Sequence, residues 1–589
     1  MTAIHYTVEA ADLHAHLFRV TLTIPEPQAT QTVSLPVWIP GSYLVREFAK
    51  NLQKLTAKQG RRSIALSQQD KCTWVMSCKR DQALVLSYEV YAFDPSVRTA
   101  WLDSQRGFFN GTSLCLRVHG QEHAPHQLLL PAVKGQATWQ AATGLTPVKT
   151  DKKGFGLYQA VNYDELVDCP VELGEFWSGQ FSACGIAHRF VVAGALASFD
   201  GDRLLADAQK ICEAEIRFWH GQGSQAGSKA PHQSYLFMLN AVSDGYGGLE
   251  HVNSTALICN RADLPRLVHK QGRPFASEGY TTLLGLISHE YFHTWNVKQL
   301  RPDALASYDY TQENYTPLLW FFEGFTSYYD DLLLRRAGLI DDATYLKLLG
   351  QAINQVQQTP GRHVQTVAQA SFDAWVKYYR QDENTLNATV SYYSKGSLVA
   401  LCLDLSLRKE GHTLDSVMRG LWKRCKAGPM REQDLLDELL ALTGRSWQAE
   451  IQAWVHSTHD LPLRELLSSQ GIDIKSEAGS LAQRLGLRVN ENSGHVHVKS
   501  VLRHSAAEAA GLAAGDEWLG LDVGNKGQGG SWRLNKLEEL SALLGQERQF
   551  IALVARDKRL LRLPMKMPEE SSTWKLATAE GRQSGWPAA

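Results

Sequence analysis

The chain has 589 residues and nearly balanced charge, with 60 Lys and Arg against 61 Asp and Glu. This balance argues against a nucleic-acid-binding protein, which normally carries a basic surplus. Because 44% of the residues are hydrophobic, the chain can bury large cores; this excludes an intrinsically disordered protein and predicts several domains.

The nine cysteines are scattered between Cys72 and Cys425 without a CxxC pair. This spacing favours free thiols in a reducing compartment over a cysteine-based zinc site. The first residues contain no basic segment followed by an apolar run, and no stretch reaches the ~18 apolar residues of a membrane span. We therefore expect a cytoplasmic protein that binds neither nucleic acid nor membrane.

Residues 1–175 are predicted to form an N-terminal β-sandwich. Runs such as HYTVEAADLHAHLFRVTLTI and ALVLSYEVYAF carry β-branched and aromatic alternation, and turn residues interrupt them. No helical periodicity separates the runs, which is typical of an antiparallel sandwich.

Residues 176–465 are predicted to form a mixed α/β unit with a helical second half. The strand-like runs RFVVAGAL and SYLFMLNAV flank an amphipathic helix from Ala208 to His220. Helical periodicity then dominates, in TTLLGLISHEYFHTWNV, PLLWFFEGFTSYYDDLLLRRAG and GSLVALCLDLSLRK.

Residues 470–567 return to strands, and residues 568–589 are predicted to be a loose polar tail. The strand-rich part has a turn at Asn490 to Gly494 and a helix at KLEELSALLG. The whole pattern predicts a multidomain α+β protein.

The motif that carries chemistry is His289-Glu290-Tyr291-Phe292-His293, an HExxH sequence. On a helix, positions i and i+4 share a face, so both imidazoles can bind one metal ion. Glu290 lies beside them, where it can accept a proton from the attacking water. The surrounding residues are mostly apolar, and buried polar groups there need a partner. The motif therefore predicts one zinc ion per chain.

A catalytic zinc site takes three protein ligands, and the next apolar helix offers Glu323 as the third. Glu323 stands between aromatic and apolar neighbours, whereas its competitor Glu313 lies in the polar stretch YDYTQENYT. His251 and His363 are more distant alternatives. Two turns after Glu323, Asp330 is a candidate to orient a metal-bound histidine through a hydrogen bond.

The blocks HEYFHTWN and WFFEGFTSYYDD resemble the gluzincin zinc metallopeptidases. Together with VWIPGSYLVREFAKN near the N-terminus, they are similar to the glycyl aminopeptidase family that carries a C-terminal PDZ domain. The similarity covers nearly the whole chain except the tail. It implies a thermolysin-like catalytic domain over residues 176–465 and a preference for N-terminal Gly, then Ala.

The resemblance implies that GYGGLEHVNST corresponds to the substrate-binding strand of gluzincin aminopeptidases. It places Gly247 and Gly248 on that strand and implies that Glu250 binds the α-amine of the substrate. His251 stands where the wider pattern has Asn, so any contact of residue 251 stays open.

The segment from Tyr392 to Gly396 resembles a Tyr-x-Lys-Gly block whose tyrosine hydrogen-bonds the developing oxyanion in related aminopeptidases. The match implies this role for Tyr393. The adjacent Tyr392 is an open alternative.

The resemblance also implies that residues 470–567 are a PDZ domain, with AAEAAGLAAGDEWLGLDV as its core block. Leu485-Gly486-Leu487 is then a candidate loop for holding a peptide or protein carboxyl terminus.

The prediction for function is a zinc aminopeptidase that releases N-terminal residues from peptides with a free amino terminus. Glu290 and Tyr393 act in catalysis, and His289, His293 and Glu323 bind the metal. Two alternatives remain open. One is a zinc endopeptidase whose substrates the PDZ domain recruits, and the other is a PDZ-based peptide-binding protein with a structural zinc.

Overall fold

A computed structural model describes residues 2–223, 226–267, 277–524, 530–569, 572–579 and 586. The chain divides into two compact units. The first contains residues 1–314, 329–339 and 418–431, and the second contains residues 315–328, 340–417 and 432–589.

The first unit begins with a strand-rich region of three sheets that share one apolar core. Its largest sheet has eight strands in the order β14-β15-β12-β1-β2-β8-β4-β5, and two four-stranded sheets have the orders β13-β16-β10-β9 and β11-β3-β7-β6. The strands are β1 (Ile4–Asp12), β2 (Leu17–Ile24), β3 (Thr30–Ser34), β4 (Leu52–Gln59), β5 (Arg62–Ile64), β6 (Ser67–Gln68), β7 (Thr73–Ser77), β8 (Leu84–Tyr91), β9 (Ala100–Leu102), β10 (Arg106–Phe109), β11 (Arg117–Val118), β12 (His126–Leu130), β13 (Gln140–Thr143), β14 (Thr146–Thr150), β15 (Gly156–Ala160) and β16 (Val171–Gly174).

The alternation predicted for this region is present in the strands. In β2 and β8, buried residues alternate with partly exposed ones, so one face of each strand packs on the core. Two short helices, α1 (Gly111–Leu114) and α2 (Tyr163–Asp168), complete the region.

The rest of the first unit contains a five-stranded sheet with the order β17-β18-β19-β21-β20. Strands β18, β19 and β21 are parallel, and β20 pairs antiparallel with β21 at the edge of the sheet. The elements are β17 (Trp177–Ala183), β18 (Ile186–Ala193), α3 (Gly201–His220), β19 (Ser234–Val242), β20 (Gly247–Glu250), β21 (Ser254–Asn260), α4 (Glu278–Phe292), β22 (Arg301–Pro302) and β23 (Pro429–Met430).

Two helices cross the division between the units, α5 (Leu319–Arg336) and α10 (Leu414–Arg424). The other helices of the second unit are α6 (Asp342–Gln357), α7 (Val367–Phe372), α8 (Thr385–Ala388), α9 (Tyr392–Lys409), α11 (Glu432–Thr443), α12 (Gln448–Trp454), α13 (Leu463–Ser469), α14 (Leu481–Leu485), α15 (Ala506–Ala510) and α16 (Glu539–Leu544).

The strands of the second unit form a six-stranded sheet and a two-stranded ribbon. The sheet has the order β25-β26-β27-β29-β30, with β28 paired to β27, and it encloses its own apolar core with α14, α15 and α16. The strands are β24 (Ile472–Ala478), β25 (Leu487–Asn492), β26 (His495–Val501), β27 (Glu517–Val523), β28 (Gly530–Arg533), β29 (Gln549–Arg556), β30 (Arg559–Lys566) and β31 (Ser572–Thr578).

The architecture is a multidomain mixed α/β protein with a β-rich N-terminal region and a helical region that follows α4. None of the described helices has the length and apolar character needed to cross a membrane.

Two elements differ from the sequence prediction. Helix α3 begins at Gly201 rather than Ala208, because the Asp200 side chain accepts a hydrogen bond from the Arg203 amide and caps an earlier turn. Residues 572–578, within the predicted tail, form β31, which pairs with β24 along its whole length. Strand pairing between residues about a hundred positions apart leaves no local signal, and most of the remaining tail lies outside the described residues.

Candidate active site

Helix α4 carries the HExxH motif and is buried on most of its surface. The Ser277 side chain caps its first turn by accepting a hydrogen bond from the Tyr280 amide at 3.0 Å. The helix ends at Phe292, and His293 follows it with helical backbone angles. The two histidines are therefore one helical turn apart and lie on the same side.

The Nε2 atoms of the two imidazoles face each other and are 3.1 Å apart. The His289 Nδ1 lies 3.1 Å from an Asp330 carboxylate oxygen, and the His293 Nδ1 lies 2.8 Å from the Asn296 carbonyl oxygen. Each Nδ1 faces an oxygen atom, an arrangement that favours the tautomer protonated at Nδ1. In that tautomer both Nε2 lone pairs are free to bind one cation.

Glu323 lies on helix α5, two turns before Asp330 on the same unbroken helix. One nitrogen of each histidine and one carboxylate oxygen of Glu323 lie within 4.8 Å of one another. The Glu323 side chain is only 2% exposed. A carboxylate buried to this extent, grouped with two imidazole nitrogens, suits a bound cation.

These three residues fit a divalent metal. Two imidazole nitrogens and a carboxylate oxygen form a donor set that suits zinc with an open position. Glu313, His251 and His363 belong to neither of the groups among the described residues that could hold a metal ion.

Two histidines outside the HExxH motif, His188 and His232, contact helix α4 through Tyr291. The Tyr291 hydroxyl lies 2.9 Å from Nε2 of His188 and 3.0 Å from Nε2 of His232. Burial lowers the pKa of His188 to about 4 and that of His232 to about 3, so both rings are neutral at neutral pH. An uncharged network of this kind orients the helix without adding charge beside the metal ligands.

A second support lies on the other side of α4. The Ser288 hydroxyl is 3.0 Å from a Glu215 carboxylate oxygen and 3.0 Å from the Asp330 carbonyl oxygen. Burial raises the pKa of Glu215 well above its usual range, which favours the neutral acid. Ser288 thereby links α3, α4 and α5 next to the His289 ligand.

Glu290 lies against the edge strand β20. A Cβ atom at Gly248 would lie 2.1 Å from a carboxylate oxygen of Glu290, so any larger residue there would force this carboxylate to move. The Gly248 carbonyl oxygen accepts a hydrogen bond from Arg98 at 3.1 Å, a contact that local sequence does not reveal. The general-base candidate and the candidate substrate strand are thus in direct contact.

Glu250 ends β20 and is 4% exposed. A Cβ atom at Gly41, where φ is +87°, would lie 2.5 Å from its carboxylate, so the backbone of the N-terminal region packs directly on this group. Among the described residues, no hydrogen bond or ion pair to the Glu250 carboxylate is present.

Lys298, whose charge interacts with Glu250, forms its direct ion pair with Asp168. Lys298 Nζ lies 2.7 Å from Asp168, which also contacts His251 at 3.2 Å and accepts a hydrogen bond from the Val252 amide. Burial acts to raise the pKa of Asp168, but Lys298 and His251 outweigh it, and the pKa falls well below its usual range. Asp168 stays ionised and holds Lys298 in a direct ion pair, while Glu250 acts on Lys298 only through a longer-range charge interaction.

Tyr392 and Tyr393 both lie in the first turn of α9, whose N-terminus is capped by the Ser391 side chain. Tyr392 is fully buried, whereas Tyr393 is partly exposed. Burial and the nearby Glu323 carboxylate raise the pKa of Tyr393 well above its usual range. The Tyr393 phenol therefore keeps its proton at neutral pH and can donate a hydrogen bond.

The chain is similar to known peptidases. Residues 5–175 match the family described as the peptidase M61 N-terminal domain, and residues 282–399 match the family described as M61 glycyl aminopeptidase. The crystal structure of an aminopeptidase N family protein from Idiomarina loihiensis is 36% identical, covers 98% of each chain and superposes with a TM-score of 0.90. An M1 zinc metallopeptidase from Deinococcus radiodurans is 15% identical, covers 78% of this chain and 94% of its own, and has a TM-score of 0.48. No curated protein matches the chain.

The fold and the His-Glu-His arrangement define a metallopeptidase. The chain belongs to the M61 glycyl aminopeptidase family, because it is 36% identical to a relative over nearly its full length and matches both M61 family domains. The resemblance read from the sequence blocks is thereby confirmed.

Proposed function

We propose that the protein is a zinc aminopeptidase that releases N-terminal Gly, and less readily Ala, from peptides. The observation that carries this proposal is the buried Glu250 carboxylate, which ends an edge strand in contact with Glu290 and has no partner among the described residues. A buried carboxylate in this position suits the α-ammonium group of a peptide.

The strand that carries Glu250 supports the same conclusion. Because β20 is at the edge of its sheet, an extended peptide can lie along Gly247 and Gly248. The amino terminus then meets Glu250, and the first peptide bond lies near Glu290. An endopeptidase would need room for residues before this point, where Gly41 instead covers the carboxylate.

A small cavity beside Glu250 supports the preference for Gly. It has room for one water-sized group, about 10 Å³, and Trp38, Tyr43 and Tyr308 contribute to its walls. The volume suits an N-terminal residue with no side chain or with a single methyl group. Larger side chains would have to displace aromatic residues.

Residues of the chain then carry out peptide-bond hydrolysis in a few successive steps. Glu250 holds the amino terminus, and His289, His293 and Glu323 hold the metal, which when bound polarises the scissile carbonyl and lowers the pKa of water. Glu290 accepts a proton from the attacking water and delivers it to the leaving amine. Tyr393 donates a hydrogen bond to the oxygen on which charge develops, and Asp330 keeps the His289 proton on Nδ1.

Blocking the substrate's amino group tests the anchoring role of Glu250. We expect N-acetylglycyl p-nitroanilide to be cleaved roughly 100-fold less efficiently than glycyl p-nitroanilide, since the buried carboxylate loses its partner. The measurement is kcat/KM for both substrates, with leucyl and alanyl p-nitroanilides alongside and with a chelator control. Equal cleavage of free and blocked substrates would favour the endopeptidase. Absence of chelator-sensitive turnover would favour a binding protein with a structural zinc.

Tyr393→Phe tests the choice between the two tyrosines. We expect kcat to fall by roughly 100-fold or more with little change in KM, because the phenol acts on charge that develops only in the transition state. Tyr392→Phe is the matched control, since Tyr392 is the adjacent residue in the same helical turn and is fully buried. A loss confined to Tyr392→Phe would transfer the role to Tyr392.

We also propose that residues 470–567 form a PDZ domain that binds a peptide or protein carboxyl terminus. Strand β25 lies at the edge of its sheet and follows directly on Leu485 and Gly486, where φ of Gly486 is +73°. An edge strand next to a glycine turn supports peptide addition at β25. This role is independent of the catalytic proposal.

A further inference from the structure

Helix α9 presents two different faces at its N-terminal end. Tyr393 lies near Glu323 and interacts with its charge. Lys395 follows two residues later, on the opposite side of the helix, and lines a separate cavity with Leu398. This cavity has a volume of about 560 Å³, within the range of small-molecule sites, and it lies wholly within the second unit. None of the proposed catalytic residues lines it.

Lys395 is the unusual residue of the cavity. Its side chain is 2% exposed, and no hydrogen bond or ion pair to its Nζ is present among the described residues. Burial lowers the pKa of Lys395, and the nearby Arg362 acts in the same direction, while Asp460 opposes them. Most of the Lys395 side chain is thus buried, while its ammonium group lacks an ion-pair partner and is available to an anion in the cavity.

Both acidic residues of the cavity already form ion pairs with other basic residues. Asp460 pairs with Arg362 at 2.9 Å, and Glu465 pairs with Lys409, which lies outside the cavity, at 3.1 Å. Arg464, by contrast, stacks on the Trp574 ring at 4.7 Å and has no carboxylate partner among the described residues. Two cationic side chains of the cavity, Lys395 and Arg464, therefore have no direct ion-pair partner among the described residues, although the Asp460 charge acts on Lys395 from a greater distance.

Much of the remaining wall of the cavity is apolar, and the polar side chains of Gln357, His459 and Ser468 complete it. Leu398, Leu461, Leu463 and Trp574 line it, beside the two cations. A ligand that fits this arrangement has an anionic head group and an apolar body. Lys acts as a point charge for such a head group, and the stacked guanidinium is fixed in orientation.

We propose that this cavity is a binding site for a small organic anion, whose carboxylate or phosphate group pairs with Lys395 while its apolar part lies against Leu398 and Trp574. The site is distinct from the metal centre. It does not depend on the peptidase activity, because none of its lining residues takes part in the proposed reaction.

Isothermal titration calorimetry of the full chain with matched probes tests the site. N-acetyl-L-leucine carries a carboxylate and an apolar side chain, and its blocked amine prevents anchoring at Glu250. N-acetyl-L-leucinamide differs only in lacking the negative charge. We expect the acid to bind at least tenfold more tightly than the amide, since the charged hydrogen bond is lost with the amide. Equal binding of the two, or no binding of the acid and of inorganic phosphate up to about 10 mM, would refute the site.

Inorganic phosphate identifies the preferred head group in the same experiment. Binding of phosphate, of the acid or of both supports the site if it depends on Lys395. Lys395→Met should weaken binding at least tenfold, whereas Lys377→Met, which removes an exposed lysine of the same unit, should leave it unchanged.

Thermal unfolding without ligand separates a binding role from a structural one. Because Lys395→Met replaces an unpaired buried charge by an apolar side chain of similar length, we expect Tm to rise by about 2–4 °C. A lower Tm together with unchanged anion binding would show that Lys395 is structural and would overturn the proposal.

Discussion

Glu290→Gln is expected to reduce peptide hydrolysis by a factor of roughly 100 to 10,000 while the metal remains bound. The carboxylate lies against the candidate substrate strand and beside the two metal-binding histidines. The amide keeps the size of the side chain but cannot accept the proton of the attacking water. The measurement is kcat/KM for glycyl p-nitroanilide, with metal content determined by mass spectrometry on the same preparation.

The control for this substitution is Glu313→Gln, which neutralises a carboxylate on a polar segment of the same unit. It should retain full activity. An active Glu290→Gln enzyme with normal metal content would assign the general base to another residue. Loss of metal from Glu290→Gln would instead show that Glu290 supports the metal site.

Glu323→Ala is expected to weaken metal binding by roughly 100-fold or more, because it removes one of three ligands and leaves two histidine nitrogens 3.1 Å apart. The measurement is zinc content after dialysis against a weak chelator, and circular dichroism checks that the helices are intact. Glu313→Ala is the matched comparison, since Glu313 is the rival ligand in the sequence. Metal retention in Glu323→Ala with loss in Glu313→Ala would move the third ligand to Glu313.

Local patterns predicted the three residues that the structure groups as a candidate metal site, His289, His293 and Glu323. The HExxH spacing places two histidines on one helical face whatever the rest of the fold does, and the apolar neighbours of Glu323 mark its carboxylate as buried. The N-terminal strands were predictable for the same reason, because alternation is a property of each strand alone.

The environment of the site could not be predicted, because it depends on contacts between distant segments. Gly41 covers Glu250 from a turn more than two hundred residues earlier, and Asp168 reaches Lys298 across 130 positions. His188 and His232 contact Tyr291 from two separate segments of the five-stranded sheet region. Each of these residues looks ordinary in its own sequence context, and only the folded chain brings it to these partners.

The crossing of α5 and α9 has a consequence for how this enzyme can diversify. A Cβ atom at Gly324 would lie 2.5 Å from the Gly396 Cα, and one at Gly396 would lie 2.4 Å from the Trp320 carbonyl oxygen. The two backbones touch beside Glu323 and Tyr393, with no side chain between them that could be exchanged for a slightly larger or smaller one. Natural variation can therefore reshape the small cavity near Glu250 one residue at a time, whereas the spacing between Glu323 and Tyr393 can change only if both helices move together.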